Sequence, residues 1–249
     1  MEQDKAITLG HPSYLWRFGQ ERRLNLVREY VSLEDQAILD VGCGLGMYMR
    51  AFRRFSPFVY GVDVDGEKLV QASQDLPNLG QAVAERLPYA DGTFDAVLSH
   101  EVIEHVTDDR QALADAVRVL RAPDPGEGRP GGRLVIFAPN RLYPFETHGA
   151  YLAGRYREGN VPLVNYLPDR WRSQVCPHVR VYTRRDLREL LEGLPVKVVT
   201  HIQIFPGYDK VVRRRPGLGR WLRRVTYFLE HTPLRLLGLS HFMVVEKIA

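Results

Sequence analysis

Cysteine is scarce: the 249 residues hold two, Cys43 and Cys176, and no C-x-x-C pair. A disulfide framework and a cysteine-rich zinc site are therefore not expected. No apolar run approaches the length of a membrane-spanning helix. The opening Met1-Glu2-Gln3-Asp4-Lys5 is polar and lacks the apolar stretch of a signal peptide, so a cytoplasmic, reducing setting is the expectation. Internal repeats and low-complexity tracts are missing too. Lysine is rare, and most of the 34 basic residues are arginine. The formal charge of +4 permits acidic partners without demanding them. With 45% hydrophobic and 26% charged residues, the composition is that of a soluble globule. A chain this long can bury the core of one α/β domain with a cap.

What is present is organised around Ala37-Ile38-Leu39-Asp40-Val41-Gly42-Cys43-Gly44-Leu45-Gly46. A short apolar run breaks into glycine at every second position and then gives way to Met47-Tyr48-Met49-Arg50-Ala51-Phe52. This reads as a buried strand, a tight turn and a helix start. Glycine suits a backbone at positive φ that a ligand must approach closely. The helix aims unpaired N–H groups and a partial positive charge at the turn, which favours a carboxylate or other anion. A second apolar run, Phe58-Val59-Tyr60-Gly61-Val62, ends in Asp63, an acid placed to accept ribose hydroxyls. The third glycine comes one position early for a dinucleotide turn, so a nicotinamide or flavin site stays open as the rival.

The pattern D-x-G-x-G-x-G over Asp40–Gly46, followed by Gly61-Val62-Asp63, resembles the class I S-adenosylmethionine-dependent methyltransferases. Three further blocks carry the same resemblance: Ala84-Glu85-Arg86-Leu87-Pro88-Tyr89 through Asp91, Phe94-Asp95 and Val97; His100-Glu101-Val102-Ile103-Glu104-His105-Val106; and Gly131-Gly132-Arg133-Leu134-Val135-Ile136-Phe137-Ala138-Pro139-Asn140. Together they cover roughly 37–140 in family order, and they are nearest to the small-molecule, type 11 and ubiquinone-biosynthesis-like group. The resemblance implies a Rossmann-like α/β fold: a doubly wound seven-stranded sheet, mostly parallel with an antiparallel last strand, helices on both faces, and a cap insertion. It implies S-adenosyl-L-methionine as cofactor and S-adenosyl-L-homocysteine as product. Asp40, Gly42, Cys43 and Gly44 would lie along the methionine moiety, and Asp63 with Val64 would hold the ribose and border the adenine. Ala84 and Glu85 would reach the adenine, with Ser99 and His100 beneath the sulfonium. Cys43 is read as a small residue fitted to a turn rather than a nucleophile.

Organisation follows the same frame. One methyltransferase domain is expected over 1–249. Residues 1–31 would supply a lid helix, from Ser13 to Val31, that brings Tyr14, Trp16 and Arg17 toward the cofactor. Strand and helix then alternate over 37–41, 46–55, 58–62, 66–74, 81–83 and 94–99, which argues for a parallel sheet within a core of 32–140. A helix beginning at Thr107 carries Leu113, Ala116, Val117 and Leu120 at helical spacing. The alternation breaks over 141–182, rich in aromatics, proline and charge, and this irregular stretch reads as a substrate cap. Thr183 caps a helix with Asp186 at its third position, and strands follow at 196–204 and 241–247. Between them, 205–240 is long and basic.

Within that connection, Trp221, Leu222, Val225, Phe228 and Leu229 share one helical face, with Arg220, Arg223 and Arg224 beside it. The plain reading packs this helix on its own domain. The alternatives are an anionic membrane or lipid contacted through 213–229, or RNA, for which no binding module is present and nucleic acid is not expected. The activity expected is methyl transfer to a small-molecule acceptor, on oxygen, by in-line displacement. His100, His148 and His178 are the candidate bases, and His105 is read as structural. Glu146, His148 and His178 match no metal-ligand pattern, so no metal is expected. An RNA methyltransferase, an NAD-dependent dehydrogenase and a non-catalytic cofactor-binding partner remain as alternatives. Acceptor and oligomeric state are not written in the sequence.

Overall fold

The structure, a computed structural model, describes residues 16–152 and 154–249. Seven strands form one sheet: β1 (Ile38–Val41), β2 (Val59–Asp63), β3 (Leu79–Gln81), β4 (Ala96–His100), β5 (Arg133–Pro139), β10 (Val196–Ile204) and β11 (Ser240–Lys247). Their spatial order is β10-β11-β5-β4-β1-β2-β3. All pairings through β5 are parallel, while β11 lies antiparallel between β5 and β10. The expected doubly wound sheet with an antiparallel last strand is therefore present.

Period-two alternation decides which face each residue feeds. On β5, Leu134, Ile136 and Ala138 join one core with Leu113, Ala116 and Val117 of α4 (Asp109–Val119) and Leu187 of α6 (Arg184–Glu189). Val135 and Phe137 turn to the other core, where they meet Leu24 and Val27 of α1 (Phe18–Tyr30), Met49 and Phe52 of α2 (Met47–Phe52), and Leu69 and Ala72 of α3 (Gly66–Ala72). Capping fixes the helix starts. Thr183 and Asp186 form the expected reciprocal pair at α6. Asp108, not Thr107, caps α4 by accepting from the Gln111 N–H.

Three boundaries differ from the sequence reading. β3 lies two residues earlier than 81–83, a short edge strand with little burial to mark its register. The stretch 141–182 is not irregular. It folds as two small antiparallel ladders, β6 (Phe145–Glu146) with β9 (Val161–Pro162) and β7 (Ala150–Leu152) with β8 (Arg155–Arg157), followed by α5 (Asp169–Val175). Its own core gathers Ala150, Val161, Val164, Cys176 and Val179. The connection 205–240 holds two helices, α7 (Asp209–Arg214) and α8 (Pro216–Leu229). Tyr14 and the start of the expected first helix lie outside the described residues.

The switch in strand order falls between β1 and β4, where an open α/β sheet leaves a crevice at the strands' carboxyl ends. The glycine turn fills it because its φ values are +70° at Gly42, +53° at Gly44 and +74° at Gly46, a region costly to other residues. At Gly46 a Cβ would also lie 2.1 Å from Leu76 Cδ1. Gly46→Ala is therefore expected to lower stability by about 1–3 kcal/mol, read from denaturant midpoints; an unchanged midpoint would remove strain at this turn as the reason for glycine.

Candidate functional site

The turn is tied down from β2. Gly42 and Cys43 both donate their N–H to the Val62 carbonyl, at 2.8 and 2.9 Å. Asp63 Oδ2 accepts from the Gly44 N–H at 2.7 Å, and its Oδ1 accepts from the Asp65 N–H at 2.8 Å. The loop is shaped before any ligand arrives. Beside it Asp40 is buried, and its Oδ2 finds no hydrogen-bond partner among the described residues. Burial, then the charge of Asp63, pushes the Asp40 carboxyl well above the usual carboxylate range. Burial, with Asp40 and Asp63 adding to it, likewise pushes the Cys43 thiol up, which fits a space-filling role and not a nucleophile.

A pocket opens over this turn, bordered by Val41 and Gly42 from β1, Asp63 and Val64 from β2, Ala84 and Glu85, and Glu101 and Val102 after β4. Val102 packs against Gly42 so closely that a Cβ there would lie 2.5 Å from Val102 Cγ2. Ala84 lies buried in its wall. Glu85 is fixed at the pocket's edge: its Oε1 accepts from the N–H groups of Thr107 and Asp108, at 2.8 and 3.2 Å.

Beyond β4 the chain takes a left-handed step at Glu101, φ +56°. Arg23, from α1, reaches across to this corner. Its Nη1 lies 2.5 Å from His100 Nε2 and 3.2 Å from Glu101 Oε1, and its Nη2 donates to Ser240 Oγ at 2.9 Å. Ser240 in turn donates to Glu101 Oε1 at 2.8 Å. Burial and then Arg23 hold the His100 imidazole neutral, with its pKa down to about 3. Burial pushes Glu101 upward, but Arg23, His100 and His148 more than reverse it and hold it at about 2. A neutral imidazole and an ionised carboxylate thus stand side by side. Ser99 is buried one residue before them.

The cap supplies the third part. Arg172 of α5 donates to Glu146 Oε2 at 2.6 Å, both side chains almost fully buried. The other oxygen, Glu146 Oε1, lies 3.0 Å from His148 Nδ1 and accepts the His148 backbone N–H at 2.9 Å. Burial pushes the Glu146 carboxyl up, yet the bond and charge from His148 and then Arg172 hold it below its ordinary range. With Nδ1 engaged by Glu146, Nε2 is the ring nitrogen turned away from that carboxylate. That atom lies 4.0 Å from Glu104 Oε1, and the His148 ring meets His105 edge-on at 5.3 Å. His105 lines the pocket. Burial and then His148 hold His105 at about 4.

Glu104 is the anomaly here. Its side chain is fully buried and neither oxygen has a hydrogen-bond partner among the described residues. Burial, and then the Glu101 charge, pushes its carboxyl well up, so the neutral acid is favoured. The ligand-capable atoms of Glu104, His105 and His148 all lie within 4.8 Å of one another. They are the described residues that could hold a metal ion, in place of the Glu146, His148 and His178 set considered from sequence.

Of the residues expected at the cofactor, Gly42, Asp63, Val64, Ala84 and Glu85 line one pocket, Gly44 is bonded to Asp63 beside it, and Asp40, Cys43, Ser99 and His100 are not part of that lining. The candidate bases do not form one group. His100 is engaged by Arg23, His148 is oriented by Glu146, and His178 packs edge-on against Tyr151 and Tyr156. Neither ring nitrogen of His178 has a described partner. Sequence reasoning missed Arg23, the Glu146–Arg172 pair and the roles of Glu101 and Glu104. The last two had a signal in the acid–x–x–acid–His run from Glu101 to His105.

A family model described as a methyltransferase domain matches residues 39–136. The ubiquinone biosynthesis O-methyltransferase of Parvibaculum lavamentivorans is 31% identical over 150 residues, covering 53% of this chain and 55% of that protein. The chain spans about half the length, or less, of the curated relatives it matches. Among solved structures, an S-adenosylmethionine-dependent methyltransferase from Mesorhizobium loti superposes with a TM-score of 0.62 at 17% identity, over 90% of this chain and 96% of that one. The [4+2]-cyclase SpnF does so with a TM-score of 0.59 at 18% identity, over 96% and 85%. Those two likenesses show the fold, and the fold alone leaves the chemistry open.

Glu104 supplies a test of the site's electrostatics. The folded protein holds a proton that the unfolded chain loses near the ordinary carboxylate value. Stability is therefore full below that value and is lost as pH rises toward Glu104's own. In Glu104→Gln the loss is absent, so its stability advantage over wild type should grow with pH by up to about 1.4 kcal/mol per unit. Denaturation across acid to neutral pH checks this; a pH-independent difference would mean that Glu104 ionises normally.

Proposed function

We propose that the protein, whose residues 39–136 match a methyltransferase domain, is a class I S-adenosylmethionine-dependent methyltransferase that moves a methyl group from S-adenosylmethionine to a hydroxyl of a small-molecule acceptor. The observation that carries the choice of oxygen is the Arg172–Glu146–His148 chain beside the pocket. A hydroxyl attacks well only if its proton is taken, and an imidazole oriented by a carboxylate is built for that task. The likeness to ubiquinone biosynthesis O-methyltransferases supports the same reading.

The crevice fits the cofactor. Asp40 offers an unpartnered buried oxygen, and Gly42 of the glycine turn borders the pocket together with Asp63 and Val64. Asp40, Gly42, Cys43 and Gly44 would hold the methionine end, Asp63 and Val64 the ribose and adenine, and Ala84 with Glu85 the adenine edge. Ser99 and His100 would lie under the sulfur. When bound, the cofactor supplies a methyl group already activated by a positively charged sulfur. His100, kept neutral by burial and Arg23, adds no charge to oppose that cation, and ionised Glu101 favours it. His148 Nε2 takes the acceptor's proton, Glu146 stabilises the imidazolium that results, and Arg172 keeps Glu146 ionised. Alignment of acceptor and methyl under the cap contributes the rest, up to roughly 7–11 kcal/mol of the barrier.

The dehydrogenase alternative has no support from the domain match. A non-catalytic, cofactor-binding role would keep the crevice and dispense with His148. Calorimetry with S-adenosylmethionine on wild type and Asp63→Ala, followed by an acceptor screen with labelled methyl, separates these. Binding lost in Asp63→Ala, with thermal stability retained, is expected. His148→Gln should bind the cofactor as wild type does and lose about 10²–10⁴-fold in kcat. An undiminished kcat would end the base assignment.

A further inference from the structure

The helix α8 turns part of its apolar surface outward. Leu218, Trp221 and Phe228 are 44%, 59% and 68% exposed, and Leu234, Leu236 and Leu237 in the following turn are 52%, 44% and 40% exposed. The opposite side of α8 is the one that packs. Gly219 is buried where a Cβ would lie 2.5 Å from Val212 Cγ2, so α7 folds tightly against α8. Thr226 is buried beside it, and Arg223 pairs with Asp209 at 3.0 Å. Arg223 therefore does not belong to the solvent face, contrary to the sequence reading. The plain expectation, a helix packing its hydrophobic stripe on its own domain, holds in part: Leu222, Val225 and Leu229 are half-buried, while Trp221 and Phe228 face out.

Arginines border the stripe. Arg220 and Arg224 stand one turn apart along its edge, and Arg213, Arg214 and Arg215 end α7 at the same extremity. All five are exposed, and no carboxylate among the described residues pairs with any of them. Exposed aromatic and leucine side chains rimmed by unpaired guanidinium groups are what an anionic lipid surface accepts: the apolar groups enter the headgroup boundary and the cations meet lipid phosphates.

We propose that α8 and the turn over 233–237 form a docking face for an anionic bilayer surface, laid on the membrane without crossing it. The charge of the rim argues for this occupant over a second copy of the chain, which would bring its own five unpaired arginines against these. The face adjoins the site. Arg22 of α1 pairs with Glu230 just past α8 and covers the Tyr227 ring at 4.0 Å, while Arg23 reaches His100 and Glu101. The docking face is independent of the acceptor reading, since it depends on neither His148 nor the cofactor crevice.

Vesicle flotation of the full chain tests it, using phosphatidylcholine vesicles with and without phosphatidylglycerol. Partitioning is expected to be at least about tenfold stronger on the anionic vesicles and to weaken with salt. Arg220→Gln/Arg224→Gln should lose about tenfold of it. Trp221→Ala/Phe228→Ala should lose a comparable amount, with circular dichroism and cofactor binding unchanged. Equal partitioning on neutral and anionic vesicles, or none on either, overturns the proposal. So does a concentration-dependent dimer that Trp221→Ala/Phe228→Ala abolishes, or salt-sensitive RNA binding in place of vesicle binding.

Discussion

One guanidinium fixes the corner on which the site is built. Arg23 leaves α1 and meets His100 at the end of β4, Glu101 just after it and Ser240 at the start of β11, with Phe137 of β5 beneath it at 5.1 Å. Three strands and one helix therefore share a single cation. Its charge acts in one direction on two neighbours, disfavouring the proton on each, and so leaves His100 neutral and Glu101 ionised. A buried carboxylate without such a partner behaves as Glu104 does and keeps its proton. The local sign of charge in the crevice thus depends on where α1 lies.

The cap solves the same problem with a different pair. Glu146 and Arg172 come from separate elements of a small lobe with its own core, and each is nearly inaccessible. Removing either partner would strand the other's charge in a dry place. Within that lobe the pair has a geometric use: it fixes which oxygen of Glu146 meets His148, and hence which way the imidazole faces. Arg172 also donates to the Val179 carbonyl at 2.7 Å, binding the far end of the lobe to the same point.

The parts legible in the sequence are those set by local rules. Positive-φ glycines, an apolar run ending in Asp63, and the Thr183–Asp186 cap declare themselves within a few residues. The strand 196–204 was readable to its ends because it is a nine-residue run rich in β-branched residues. The cap was not, because its strands are two or three residues long, too short for any period to register. Arg23 was invisible for another reason. Its partners lie 77, 78 and 217 residues away, and nothing around it distinguishes it from Arg22. The stripe on α8 was visible as a stripe, but a helical period does not say which side faces the protein.

Those two adjacent arginines give α1 an additional property. Arg22 holds the connection 205–240 and Arg23 holds the corner after β4, so the helix cannot lift from one without straining the other. The Gly19 N–H bonded to Asp209 adds a third fastening on the side of that connection. Local opening of such a helix is not a sum of independent frayings: the connection, α1 and the β4 corner open as one cooperative unit with one free energy. Anything that steadies the outer end of that unit slows exchange at the inner end, with no change in the structure of either.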